Sequence, residues 1–308
     1  MQAFWHSGTG EIAALTSALL WALATVIYRR IGRTVPAAQL NLLKGLLAVA
    51  LLTATLAARG RLAWPEASGA VLLLLASGAI GIGVGDTLYF EALQYVGSRR
   101  ALLLGILAPP LAALIAWGTL GEALSPPAWL GIALAVLGVA WVITEQAPED
   151  VHRPGHRLRG VAFGVSAALM QATGAVISHQ ALTASEIDVF WSALLRLGAG
   201  VLVTVVWIAA GRRRPGATGR RLLVLPPTAR SWGAFVIAAF FGTFICIVLQ
   251  QVALRHTAAG IAQTLMSTSP LFVLPLALVL GERVTWRAAA GACLALAGVA
   301  LLFGRAAH

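Results

Sequence analysis

Residues 110–138 read PLAALIAWGTLGEALSPPAWLGIALAVLG, and residues 270–298 read PLFVLPLALVLGERVTWRAAAGACLALAG. Each stretch starts with a Pro-Leu pair, carries a glutamate twelve residues after the proline, and ends with two glycines spaced seven residues apart. The offset between the two stretches is 160 residues. Self-similarity at a fixed offset is the mark of an internal repeat, so the two halves of the chain are predicted to share one fold.

The composition of the 308 residues excludes a water-soluble protein, because 59% are apolar, 11% are charged and the mean hydropathy is +0.86. A membrane-spanning helix needs about 20 mostly apolar residues. The basic residues lie in short runs between apolar stretches and not along one polar face, which argues against binding of nucleic acid. The sequence predicts an all-α integral membrane protein with ten transmembrane helices, at 11–28, 36–58, 67–93, 99–119, 126–144, 160–182, 187–210, 231–253, 257–280 and 285–304.

The ten predicted helices divide into two groups of five. Residues 1–145 hold helices 1–5, the polar stretch 146–159 is predicted to be a linker, and residues 160–308 hold helices 6–10. Because five crossings are an odd number, the second half has to lie upside down relative to the first. The expected architecture is an inverted repeat, which places a binding site near the membrane midplane between the halves.

The positive charges predict an orientation in the membrane. Of the 22 Lys and Arg residues, 16 lie in loops on one face and four lie on the other face. The positive-inside rule places the richer face in the cytoplasm, so both termini are expected outside a cell (inner or plasma) membrane.

Residues 93–142 and 253–303, which contain the two opening stretches, resemble the two EamA-type repeats of the drug/metabolite transporter superfamily. This resemblance implies a ten-helix carrier that moves small metabolites, often outward, through a central cavity lined by helices 1–4 and 6–9. One departure is Lys44, which stands where the family more often has arginine.

Two basic residues, Lys44 and Arg196, lie at matching positions about eight residues inside their predicted helices, which is about 12 Å deep. A charge at that depth costs about 2.5–3.5 kcal/mol and faces protein or a water-filled cavity. We interpret both as candidate substrate-binding residues, and a structural ion pair is the alternative.

Two acidic residues are candidate proton carriers. Asp86 and Glu91 lie in the sequence GDTLYFE, residues 85–91, near the end of predicted helix 3. A carboxylate there can change its charge during a transport cycle, which a fixed cation cannot do. The alternative for both is pairing with a nearby basic residue (Lys44, Arg99 or Arg100).

Further polar and aromatic side chains are predicted to line the cavity, with hydrogen bonding between helices as the alternative for each. These are Trp21, Asn41, Tyr89, Gln171 and Gln263. Pro110 and Pro270 are predicted hinges in helices 4 and 9. Glu122 and Glu282 directly follow glycines at helix ends and are interpreted as structural. The small residues of helices 5 and 10 predict close packing within the chain, and a dimer contact is the alternative.

Together with what the resemblance implies, the residues favour a secondary-active exporter of a small metabolite, amino-acid-like or anionic, that works by alternating access between the repeats. A lipid or lipid-linked-substrate flippase or scaffold of the same fold is the alternative. An intramembrane enzyme is disfavoured, since the chain lacks zinc-binding and serine-nucleophile motifs. We therefore predict no catalytic residue, metal or cofactor. The expected partners are a small-molecule substrate and membrane lipids, with the chain as a monomer or homodimer.

Overall fold

The computed structural model describes residues 9–120, 126–144, 157–212, 224–226, 228–257, 259–269, 272 and 285–303. All regular secondary structure in this part of the chain is helical. The helices are α1 (Thr9–Ile31), α2 (Ala37–Ala58), α3 (Ser68–Gly78), α4 (Thr87–Gly105), α5 (Ala108–Leu120), α6 (Pro126–Thr144), α7 (Arg157–Thr183), α8 (Val189–Arg212), α9 (Ala229–Ala239), α10 (Cys246–His256), α11 (Ala259–Met266) and α12 (Trp286–Phe303). Two π-helical segments join α3 to α4 and α9 to α10: Ala79–Asp86 and Phe240–Ile245.

Long apolar helices dominate the described residues. Six spans are long and apolar enough to cross a membrane, with mean hydropathy between 1.6 and 2.4. Backbone polar groups inside a bilayer have to be bonded within the segment, which an α-helix achieves. Shorter apolar helices accompany them. The six spans are Thr9–Ile31, Ala37–Ala58, Ser68–Ser98, Arg157–Thr183, Val189–Ala210 and Ala229–His256.

The structure departs from the predicted helix ends at several places, of which three bear on the site. The predicted third helix continues to Ser98, where Gly97 adopts a positive φ of 79° that favours glycine and kinks α4. The predicted fourth helix is broken by a turn at residues 106–107, so α5 starts afresh at Ala108. The predicted sixth helix begins at Arg157, three residues earlier than expected.

The two halves carry the same irregularities. The π-helical segments begin at Ala79 and Phe240, at an offset of 161 residues. The turn at residues 106–107 has its counterpart at 267–268, directly after α11, at the same offset. These shared breaks support the internal repeat that the sequence predicts.

The small residues of predicted helices 5 and 10 pack against each other within the chain. A Cβ atom added to Gly138 of α6 would lie 2.5 Å from the backbone nitrogen of Ala295 in α12. A Cβ on Gly298 of α12 would lie 2.5 Å from the nitrogen of Ala135 in α6. The predicted packing stripe is thus a contact of backbone against backbone between α6 and α12.

Gly78, at the end of α3, is expected to tolerate no side chain. A Cβ there would lie 2.0 Å from the carbonyl oxygen of Arg196 in α8, so the two backbones would have to separate. Overpacking of this kind costs about 1–3 kcal/mol or more. We expect Gly78→Val to lower the melting temperature in detergent and the yield of folded protein. Gly69→Val, in the same helix but with no atom within 4 Å of the added Cβ, is the matched control.

Candidate functional site

A central cavity of about 160 Å³ lies between the two halves of the chain. Its walls are mostly apolar and carry a few polar groups, as is typical of sites for small molecules. Its lining includes three charged residues, one acidic and two basic. These are Lys44 of α2, Asp86 of the first π-helical segment and Arg196 of α8.

Lys44 and Asp86 form a buried ion pair. The Nζ atom of Lys44 lies 2.6 Å from Oδ2 of Asp86, and the two side chains are 1% and 7% exposed. The ammonium also lies 5.6 Å from the centroid of the Phe90 ring. This is the pairing that the sequence analysis held open as the alternative for both residues.

The second half of the chain contributes to the same ion pair. Gln171 of α7 donates a hydrogen bond of 2.7 Å from Nε2 to Oδ1 of Asp86. Both oxygens of the carboxylate are therefore bonded, one to a cation from the first half and one to an amide from the second. Asp86 therefore links a charged residue of the first half to a polar residue of the second half.

Arg196 is held by neutral partners. Its Nη1 donates to Oε1 of Gln251 at 2.6 Å and to Oε1 of Gln250 at 3.4 Å, both in α10. Gln251 is completely buried, and its Nε2 donates to the hydroxyls of Ser178 and Ser192. The guanidinium, 2% exposed, is anchored without a carboxylate within 4.0 Å among the residues that the model describes.

An aromatic wall completes the cavity beside the ion pair. The rings of Trp21 and Tyr89 lie 5.4 Å apart between centroids, and both residues line the cavity. The hydroxyl of Tyr89 is 3.1 Å from Oγ1 of Thr25, which satisfies its polar end. Gln263 of α11 also lines the cavity. The wall offers apolar surface with polar groups at its edges.

Asn41 lies outside the cavity lining and forms hydrogen bonds with the first π-helical segment. Its Nδ2 donates to the carbonyl oxygen of Ile82 at 2.9 Å, to Oγ1 of Thr87 at 3.0 Å and to Oγ1 of Thr204 at 3.3 Å. A π-helical turn leaves carbonyl groups without their usual helical partners. Asn41 therefore supports the backbone that carries Asp86, across the interface with α8.

The remaining predicted residues are either absent from the cavity lining or outside the described residues. Glu91 is half-buried in α4 and is not among the lining residues. Pro110 is the third residue of α5, where its missing N–H costs no helical hydrogen bond, and the turn at residues 106–107 directly precedes that helix. Pro270, Glu122 and Glu282 fall outside the described residues.

The geometry has the form of a membrane binding site shared by two related halves, and the family comparison agrees with it. Residues 8–144 and 158–304 each match the model of the EamA-like transporter family. The chain belongs to this family. No curated protein matches its sequence. The EamA-like chain also resembles a solved crystal structure of a protein, with a TM-score of 0.67, 19% identity and 96% coverage of both chains. At that identity the likeness shows the fold alone.

Several site residues of this EamA-like protein were not predicted from the sequence. Ser17, Thr243 and Cys246 line the cavity, and Ser192 bonds to the glutamine that holds Arg196. Small polar residues occur in many apolar helices as links between helices, so their types alone carry little signal. No group of three or more His, Cys, Asp or Glu side chains within the described residues is placed to hold a metal ion.

Proposed function

We propose that this protein is a secondary-active transporter that exports a small polar metabolite across the cell membrane. The observation that carries the proposal is the cavity with the bonded Lys44, Asp86 and Gln171, since both halves of the chain contribute to it. Charged groups inside a membrane are costly, and they mark substrate or ion pathways by default. A cavity that two halves close jointly fits alternating access.

The proposed substrate is amino-acid-like or anionic. The lining offers a cation in Arg196, an ion pair in Lys44 and Asp86, and the aromatic faces of Trp21 and Tyr89. In this proposal, Asp86 also carries the coupling proton. When it is protonated, its hold on Lys44 weakens, and the bond from Gln171 across the interface weakens with it.

The orientation is part of the proposal: the two halves are inverted, and both termini face outward. We expect a cysteine introduced within residues 216–219, in the arginine-rich loop, to react with an impermeant maleimide only after the cells are permeabilised. Leu62→Cys, on the opposite face, is the control that reacts in intact cells. Both are made with Cys246 and Cys293 replaced by serine. Reaction of the loop cysteine in intact cells would contradict the orientation.

A cluster of contacts, here called the latch, joins the loop after α2 to the start of α8. Arg61 Nη1 lies 3.1 Å from Oδ2 of Asp188, and Trp191 Nε1 donates to the carbonyl oxygen of Arg61 at 2.8 Å. The rings of Trp64 and Trp191 lie 5.6 Å apart, and the Arg59 guanidinium lies 4.5 Å from the centroid of the Phe190 ring. Exposed ion pairs contribute about 0–1 kcal/mol, so such a latch can open.

Locking the latch is expected to stop transport. In a chain with Cys246 and Cys293 replaced by serine, we expect a short bismaleimide to cross-link Arg61→Cys to Asp188→Cys and to reduce transport to background, because the halves can then no longer separate on that face. Each single-cysteine variant, treated with the same reagent, is the control. Full transport by completely cross-linked protein would contradict alternating access at this face.

The proposed function is tested by comparing the extracellular metabolites of cells with and without the protein. We expect at least one small polar metabolite to be depleted outside the cells that lack it and to be restored by re-expression. Compounds found in this way are then assayed for uptake into proteoliposomes under an imposed pH gradient. Identical extracellular metabolites in the two strains, with no uptake above that of protein-free liposomes, would overturn the proposal.

A further inference from the structure

The charges of the three charged residues in the cavity lining do not sum to zero. Lys44 and Asp86 neutralise each other at 2.6 Å, whereas Arg196 has no carboxylate within 4.0 Å among the described residues. The lining therefore carries one net positive charge, and that charge belongs to Arg196. A buried charge without a directly bonded counter-ion is unfavourable even when it is hydrogen-bonded, so the empty cavity favours the entry of an anion.

The guanidinium of Arg196 presents an unused edge. Its only hydrogen bonds run from Nη1, to Gln250 and Gln251, and its buried Nε has no partner within the described residues. Nε and Nη2 together form the side of an arginine that bonds to both oxygens of a carboxylate in parallel. The glutamines thus orient the group and leave Nε without a partner. Because Nε is buried, a carboxylate reaches this edge only when the Arg196 side chain turns toward the cavity.

The first π-helical segment packs beside this edge. A Cβ added to Gly81 would lie 3.5 Å from Cα of Gly174 and 3.7 Å from Nη2 of Arg196, which is ordinary van der Waals contact. The cavity of about 160 Å³ sets the size of the occupant. A protein cavity of about 150 Å³ accommodates benzene.

We propose that Arg196 is the anion-binding residue of the cavity, and that its ligand is a small organic anion with one carboxylate and a body of about the size of benzene. The proposal rests on the proposed function in that it takes the cavity as the transport site. It assigns different roles to the two cations: Arg196 binds the carboxylate of the ligand, while Lys44 remains bonded to Asp86.

The test measures the melting temperature of the purified full-length protein in detergent with four probes: benzoate, benzamide, benzylamine and inorganic phosphate. Benzoate and benzamide share a ring and differ in charge, benzylamine reverses the charge, and phosphate separates a carboxylate site from a general anion site. We expect benzoate to raise the melting temperature in a saturable manner and the other three to have little effect.

Variants of Arg196 separate the effect of its positive charge from the effect of its paired hydrogen-bond donors. Arg196→Lys keeps the positive charge but loses the paired donors, and we expect the apparent affinity for benzoate to fall about tenfold or more, as the loss of a charged hydrogen bond implies. Arg196→Gln should lose the response to benzoate. Arg230→Gln, an exposed arginine at the start of α9, is the control that responds like the wild type.

Four results would overturn the proposal: an equal response to benzamide, a stronger response to benzylamine or phosphate, a benzoate response that Arg196→Lys leaves unchanged, or no response of the wild type to benzoate. Proteoliposome transport separates this inference from the proposed function. If the protein transports a cellular metabolite and Arg196→Lys transports it with the wild-type affinity, the role of Arg196 is wrong but the transport function stands. Arg196-dependent benzoate binding without transport of any compound would remove only the transport function.

Discussion

Replacement of Asp86 with asparagine is expected to abolish uphill accumulation of the substrate while exchange across the membrane continues. Asparagine keeps the size of the side chain and one of the two acceptor oxygens, so it can accept from Gln171 or from Lys44 but not from both, and Lys44 loses its counter-ion. Unlike aspartate, it cannot take up and release a proton. Coupling to a proton gradient should therefore be lost before binding is lost. The measurement is substrate uptake into proteoliposomes, with and without an imposed pH gradient, compared with counterflow at equal pH.

The matched control for Asp86→Asn is Glu186→Gln, the same chemical change at an exposed residue in the loop between α7 and α8. It should accumulate substrate like the wild type. If Asp86→Asn still concentrates substrate with the same dependence on the pH gradient, then Asp86 is not the proton carrier. If both accumulation and exchange disappear in folded protein, Asp86 is needed for binding or movement and the coupling role is unsupported.

The residues of the charged centre could be predicted from the sequence because charge is rare in apolar helices. Lys44, Asp86 and Arg196 stand out by their depth in predicted helices, and all three line the cavity. The partner of each cation was not predictable in the same way. Helix depth is known from the sequence, but the rotation of one helix relative to another is not, so pairing of Lys44 with Asp86 was one alternative among several.

The environment of Arg196 shows why the contacts of the site, as distinct from its residues, were not predicted. Its partners Gln250 and Gln251 are neutral and lie more than 50 residues away, and the serines that bond to Gln251 come from α7 and from α8. Such a network depends on tertiary packing, for which a single sequence has no periodic signal. From a sequence alone, a carboxylate is a more obvious partner for an arginine than a side-chain amide is, because its charge is opposite.

The π-helical segments were not predicted, and Pro110 was predicted as a hinge within one helix and not as the start of a new one, although signals for both breaks exist. The sequence GIGVGD, residues 81–86, has three glycines in five positions, which weakens a regular helix and permits the π-helical segment and its close packing. Hydropathy reports only the length of an apolar stretch and not a break within it, so it predicted one continuous third helix. Likewise, Pro109 and Pro110 stop the preceding helix and start α5, which divides the predicted fourth helix at residues 106–107.

Replacement of Lys44 with glutamine is expected to destabilise the protein by about 3–5 kcal/mol, because it leaves the Asp86 carboxylate buried without its cation. Lys44 is 1% exposed, so the surroundings of the ion pair hydrate the remaining carboxylate poorly. The measurement is the melting temperature in detergent together with the yield of monodisperse protein. Lys44→Arg, which keeps the charge, should stay close to the wild type.

The double variant Lys44→Gln and Asp86→Asn separates the structural part of the ion pair from its part in transport. Removing both charges together avoids the unpaired carboxylate, and replacing a buried ion pair by neutral groups is often close to neutral in stability. We therefore expect the double variant to recover most of the melting temperature of the wild type and still to lack uphill accumulation. A double variant as unstable as Lys44→Gln alone would mean that Lys44 stabilises the fold through other contacts, such as the Phe90 ring. A stable double variant that still concentrates substrate would place the coupling site elsewhere in the chain.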